Sequence, residues 1–139
     1  MAHNIVWLKP DRLLYIDYLG HQTAATLHAC LDEIAEVLDQ SANPVIMIIN
    51  WGNVTEADPK ILINARGHRA YDHPKAARAL LLGMDSNEKF QNEVSAHSSR
   101  DTGSHTRYTN SIDEAMDFVR DFFDSEVEFA NARAMLPGN

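Results

Sequence analysis

Pro44-Val-Ile-Met-Ile-Ile49, closed by Asn50-Trp51-Gly52, is the stretch that decides the fold. Val45 to Ile49 is an apolar run with no polar alternation, the pattern of a strand buried on both faces. Two more segments repeat the scheme of a short apolar run followed by a polar stop. Ala79-Leu-Leu-Leu82 ends at Gly83-Met84-Asp85-Ser86, and Thr106-Arg-Tyr-Thr109 ends at Asn110-Ser111. Helix-start signals follow each one. A buried strand alternating with a capped helix predicts right-handed crossovers and a mostly parallel sheet covered by helices.

Working outward, Asn4-Ile-Val-Trp-Leu8 and Leu13-Leu-Tyr-Ile-Asp-Tyr18 read as strands. Lys9-Pro10-Asp11-Arg12 joins them. Proline sets φ at the second turn position and Asp suits the third, which predicts a β-hairpin. Leu14, Ile16 and Tyr18 share one face of the second strand, and Gly20-His21-Gln22 is expected to break it. Thr23 caps the helix that follows, where Leu27, Leu31, Ile34 and Leu38 form one apolar stripe. Asp32, Glu33, Glu36 and Asp39 point toward water. After Trp51 the chain turns polar, with a loop expected around Val54–Ala57. Asp58-Pro59 reads as N-cap and first helical residue of a helix from Lys60 to about Arg69. Asp85 or Ser86 caps a third helix with Phe90 and Val94. Residues 97–105 read as a polar loop. Ser111-Ile-Asp-Glu114 is a capping box, and Ile112, Ala115, Met116, Val119 and Phe122 are the expected buried face of the last helix.

The expected order is therefore β-β-α-β-α-β-α-β-α: a single α/β domain with a mostly parallel sheet and an N-terminal antiparallel hairpin. Residues 1–123 form the domain and 124–139 a C-terminal tail or arm, which either continues helical through Val127, Ala130 and Ala134 or swings out. The apolar residues of that tail, Val127, Phe129, Met135 and Leu136, are expected to pack on the domain or on a second copy, giving a homodimer.

Composition narrows the partners. The 139 residues carry 12 basic and 20 acidic side chains, a net charge of −8. That disfavours nucleic-acid phosphates and anionic membrane surfaces. No apolar run approaches the roughly 20 residues a bilayer span needs, and Met1-Ala-His-Asn4 lacks the features of a secretion signal. The expectation is a cytoplasmic protein. The single cysteine, Cys30, excludes an internal disulfide. Asp32 and Glu33 near it raise a thiol pKa, which argues against a nucleophile.

Catalytic patterns fail on their own terms. Gly83-Met-Asp-Ser-Asn87 lacks the second glycine of a nucleophile elbow, so Ser86 reads as a cap whose helix start offers N–H groups to an anion. Asp101-Thr-Gly-Ser104 matches an aspartic-protease tetrad as a string, but Ser98-Ser-Arg100 and His105 flank it where that chemistry needs apolar strands. The pairs His21/His28, His68/His73 and His97/His105 match no zinc spacing, and Glu93 with His97 reads as a solvated contact. No catalytic residue, metal ligand or cofactor is assigned. Trp51-Gly52-Asn53 is the strongest binding candidate. It sits where the third strand ends, at the crevice in which open α/β sheets hold ligands. Trp supplies apolar surface, Gly allows close approach and Asn reads a polar head. Met84, Asp85 and Ser86 end the neighbouring strand and complete the set.

Leu14-Tyr-Ile-Asp-Tyr-Leu-Gly-His-Gln-Thr23, the Pro44–Ile49 strand, His73-Pro-Lys-Ala-Ala-Arg-Ala-Leu-Leu-Leu-Gly83 and Ser111-Ile-Asp-Glu-Ala-Met-Asp-Phe-Val119 together resemble the SpoIIAA-like family. That family is related to the STAS domains of anti-sigma-factor antagonists and is also compared with CRAL-TRIO lipid-transfer domains. The resemblance spans about residues 4–122. It implies a non-enzymatic protein that binds a small apolar or amphipathic, lipid-like ligand. The alternative it implies is a STAS-like interaction module, docking a protein partner through the second helix and the stretch Val54–Ala57. Phospho-regulated STAS domains resemble one another in an Asp-Ser-Ser-Gly-like stretch after the third strand. This chain has Thr55-Glu-Ala-Asp-Pro-Lys60 there, with no serine, and Glu56 and Asp58 would repel a phosphate.

Overall fold

The computed structural model describes residues 2–61, 67–70, 72–83 and 106–136. Among these the chain runs β1 (His3–Lys9), β2 (Leu13–Gln22), α1 (Ala24–Gln40), β3 (Val45–Ala57), β4 (Ala76–Leu82) and β5 (Thr106–Tyr108). Then come α2 (Ile112–Phe118), a 3₁₀ turn (Arg120–Phe122) and α3 (Glu126–Ala134). The five strands lie in one sheet in chain order. β1 and β2 are antiparallel, and every later pair is parallel. The expected second and third helices and the loop at 97–105 fall on or beside residues outside the described set.

Both faces of the sheet are buried, as the unalternating strands require. Leu14, Ile16, Tyr18, Met47, Trp51 and Leu81 pack against α1 through Leu27, Leu31, Ile34 and Leu38. Leu13, Tyr15, Ile46, Ile48, Leu80 and Leu82 pack against Met116, Val119, Phe123, Phe129 and Leu136. Each fully buried side chain of the α1 stripe removes an area from water that is worth roughly 1.5–3 kcal/mol. Thr23 caps α1 by accepting from Thr26 N–H at 3.1 Å, and the Thr26 hydroxyl in turn accepts from Thr23 N–H at 2.8 Å.

Several expectations change. The second strand does not break at Gly20: β2 runs to Gln22, with Gly20 at φ 66 absorbing the bend. Val54–Ala57 is strand, not loop, because β3 continues beside β2 as far as the pairing of Gln22 with Ala57. Asp58-Pro59 opens a turn rather than leading straight into a helix at Lys60; Ile61 is helical, and the expected helix between it and residue 66 lies outside the described residues. Ile61 N–H donates to Asp58 carbonyl at 3.2 Å and Lys60 takes φ 61, so residues 58–61 are a tight turn. It repeats the hairpin turn, where Arg12 N–H donates to Lys9 carbonyl at 3.0 Å and Asp11 also has φ 61. In both, proline fixes the second position and the third is left-handed.

The last expected helix is two helices. After Phe118 the chain tightens into the 3₁₀ turn, which shifts the register by a residue. Phe122 is consequently 48% exposed and Phe123 is buried in its place. Ser125 then caps α3, whose Phe129 and Ala132, with Leu136 just beyond its end, close the second core. Val127 and Met135 stay exposed on it. Lys9 of β1 fastens this corner, donating to Phe122 carbonyl at 2.8 Å and pairing with Glu128 at 2.9 Å.

Candidate functional site

The C-terminal ends of β2 and β3 hold the most organised polar group among the described residues. β4 pairing stops where Leu82 meets Asn50. The cause is the Asn50 side chain. Its Oδ1 accepts from Gly52 N–H at 2.7 Å, and its Nδ2 donates to the Tyr15 hydroxyl at 2.9 Å. Beyond it β3 is bulged. From the Asp17–Asn50 pair to the Leu19–Asn53 pair, β2 advances two residues and β3 three. The extra residue places Asn53 on the same face as Asn50, where its Nδ2 donates to Asp17 Oδ1 at 3.0 Å. A second bulge separates the Gly20–Val54 pair from the His21–Glu56 pair.

Asp17 is buried, and burial raises its carboxyl above the ordinary range, while the Asn53 hydrogen bond works the other way. Burial also pushes the Tyr15 phenol up, opposed by Asn50 and reinforced by the Asp17 charge. Tyr15, Asp17, Asn50 and Asn53 thus form a satisfied polar cluster at the sheet end, on the face opposite α1.

Gly83 closes the floor of this end. It has φ 83, and a Cβ there would stand 2.1 Å from Gly52 N and 2.5 Å from Gly52 Cα. Only two glycines allow β4 to leave the sheet so close to the β3 bulge.

The candidates from sequence are distributed as follows. Trp51 is 6% exposed and stacks on Tyr18, with ring centroids 4.2 Å apart and planes at 9°, inside the α1-side core. Gly52 and Asn53 are exposed, and Asn53 faces Asp17 on the other side of the sheet. Trp51 and Asn53 are therefore not brought to one surface. Met84, Asp85 and Ser86 lie outside the described residues, as do Glu93, His97, Asp101 and His105. Cys30 is fully buried, and its thiol is pushed up to about 12, chiefly by burial. Among the described residues no cluster of histidine, cysteine, aspartate and glutamate could hold a metal, and no helix is long and apolar enough to cross a membrane.

Sequence reasoning missed Asp17, Tyr15 and Asn50. A carboxylate inside the apolar run Leu13–Tyr18 was the available signal, since a buried acid needs a partner. It missed equally a groove of about 580 Å³ at the opposite end of the sheet, lined by Leu38, Asp39, Arg69, His73, Pro74 and Lys75 among others. In its wall Asp39 accepts two bonds from Arg69, at 3.0 and 2.8 Å, and one from His73 at 2.7 Å.

Comparison with solved structures places this architecture. The anti-sigma factor antagonist SpoIIAA in its unphosphorylated form superposes with a TM-score of 0.60 at 17% identity, over 86% of this chain and 98% of that one. The chain has a SpoIIAA-like fold. A phosphorylated SpoIIAA, described as a Bacillus cell-fate determinant, gives 0.55 at 20% identity over 86% of this chain and all of that one. A DUF3478 protein with a SpoIIAA-like fold from Shewanella loihica PV-4 gives 0.58 at 13% identity, over 84% and 91% of the two chains. No family model matches the chain. No curated protein matches it either.

Proposed function

We propose that this SpoIIAA-like protein is a non-enzymatic regulatory module that binds a protein partner through the exposed ends of β2 and β3. The observation that carries the reading is the near end-to-end likeness to an anti-sigma factor antagonist, which covers 98% of that chain. The proposed face is built from His21, Thr55, Glu56 and Asp58, where β3 extends past the end of β4. His21 Nε2 lies 2.7 Å from Asp58 Oδ1, which joins the strand end to the turn that follows. Two paired strands stiffen this extension, and a stiff surface loses little entropy on docking.

A small apolar ligand, the other role implied by the family, would need the surface that Trp51 already gives to Tyr18. Phosphorylation as the switch has weak support here, since Thr55 is flanked by Glu56, and Asp58 follows.

The test is affinity capture from the native cell with the wild-type chain and with Thr55→Arg/Glu56→Arg, followed by reconstitution of any captured pair from purified components. The expected result is one stoichiometric protein that binds the wild type and loses at least tenfold in affinity for the variant, a change of about 1.4 kcal/mol. A wild-type chain that captures no protein, or a purified pair indifferent to both substitutions, overturns the reading.

A further inference from the structure

The described histidines are not scattered, and two of them share an uncommon geometry. His68 and His73 lie in the connection between β3 and β4, and both rings are held at both nitrogens. His68 Nε2 is 2.7 Å from Asp32 Oδ1, and His73 Nε2 is 2.7 Å from Asp39 Oδ1; both aspartates stand on the outer face of α1. On the other side of each ring, Nδ1 accepts from the backbone N–H two residues on. Ala70 donates to His68 at 3.1 Å and Lys75 donates to His73 at 3.0 Å. A backbone N–H only donates, so Nδ1 must carry the lone pair and Nε2 the hydrogen. Each side chain is 8% exposed. The network is therefore complete only when both imidazoles are neutral.

We propose that residues 67–70 and 72–75 form a pH-responsive strap, latched to α1 by neutral His68 and His73 and loosened at its backbone when these rings gain a proton. The added hydrogen goes to Nδ1, the free lone pair. It then faces the N–H of Ala70 or Lys75, donor against donor, and that bond is lost. The carboxylate side of the latch persists. Arg69 and His73 hold the Asp39 carboxyl down at about 2, so it stays charged throughout the range in which imidazoles titrate.

The surroundings of each ring are defined. His68 faces Asp32 and the ring of His28 on α1, centroids 5.7 Å apart. His73 faces Asp39 on α1 and Arg69 within the strap, with Asp72 and Lys75 lining the same groove; Glu36 of α1 lies close enough to Arg69 to act on its charge. The remaining paired histidines supply internal controls. His21 Nδ1 lies 4.0 Å from Glu56 Oε2 and His3 Nδ1 has no partner, so a proton on either costs no backbone bond.

Imidazole nitrogen NMR combined with amide hydrogen exchange on the full chain, from about pH 8 to about pH 5, tests this. At the alkaline end both rings should show the Nε2–H tautomer. As they gain protons, exchange protection at the Ala70 and Lys75 amides should fall roughly tenfold, the loss of one ordinary hydrogen bond. His68→Asn and His73→Asn place a side-chain oxygen where Nδ1 was, which accepts the same N–H without titrating. Protection in these variants should stay flat with pH. Rings found as Nδ1–H at pH 8, rings that stay neutral to pH 5, or amides whose protection ignores ring protonation each overturn the proposal. The wild-type titration decides it even where a variant fails to fold.

Discussion

Asp17 is the residue whose chemistry is most at odds with its position. It sits in the middle of β2, between Ile16 and Tyr18 of the α1-side core, and is buried with one amide for company. Burial raises its pKa, so the charged form costs stability, and that cost appears as pH rises through the raised value. Asp17→Asn removes the charge and keeps a group that can bond Asn53. Urea unfolding should find the variant more stable at pH 7 by about 1 kcal/mol, the scale of one buried polar interaction. The difference should shrink as pH falls and the wild-type carboxyl takes up its proton. At this scale the sequence was legible for Cys30, whose acidic neighbours and helical setting point to an inert thiol. It was not legible for Trp51. A tryptophan at a strand end reads alike whether it lines a crevice or stacks on Tyr18, and the stack joins residues 33 positions apart.

Caps and turns show how far local chemistry reaches at the scale of elements. Ser111 Oγ accepts from Glu114 N–H at 3.1 Å as the capping box requires, while Glu114 reaches one residue further back, to Asn110 N–H at 3.1 Å. The same arrangement recurs at the start of α3, where Ser125 Oγ accepts from Glu128 N–H at 3.1 Å and Glu128 accepts from Asp124 N–H at 3.2 Å. The signal Ser125-Glu-Val-Glu128 was thus present in a segment read as a tail. Ser125→Ala should destabilise the protein by about 1 kcal/mol in a denaturant titration. Its effect should fall on the second core, because Phe129 and Leu136 are buried only while α3 is docked. The turn at 58–61 shows the opposite limit. Asp-Pro serves a helix start and a proline turn equally well, and here the turn comes first: Lys60 is left-handed and Ile61 after it is helical.

For the whole molecule, the ties that hold α1 to the rest of the domain are charged as well as apolar. Asp39 accepts from both Arg69 and His73, and this holds its carboxyl at about 2. A depressed carboxyl contributes stability above its unfolded pKa of about 3.9 and loses it as pH falls toward 2. Asp39→Asn should therefore narrow the loss of stability between about pH 4 and pH 2 relative to wild type, measured by thermal unfolding across that window. Its pH dependence runs opposite to that of Asp17→Asn.

The alternation of unbroken apolar runs with capped helices was sufficient for the α/β class, the mostly parallel sheet and the N-terminal hairpin. These follow from burial and backbone chemistry acting over a few residues. Tertiary structure alone decided that β3 runs on past Trp51, that Asn53 turns to Asp17 across a bulge, and that His68 and His73 meet Asp32 and Asp39. Each of these joins residues 34 to 36 positions apart. Which of several polar groups becomes the partner is set by the packing of α1 and the register of β2 on β3, and no local pattern carries that choice.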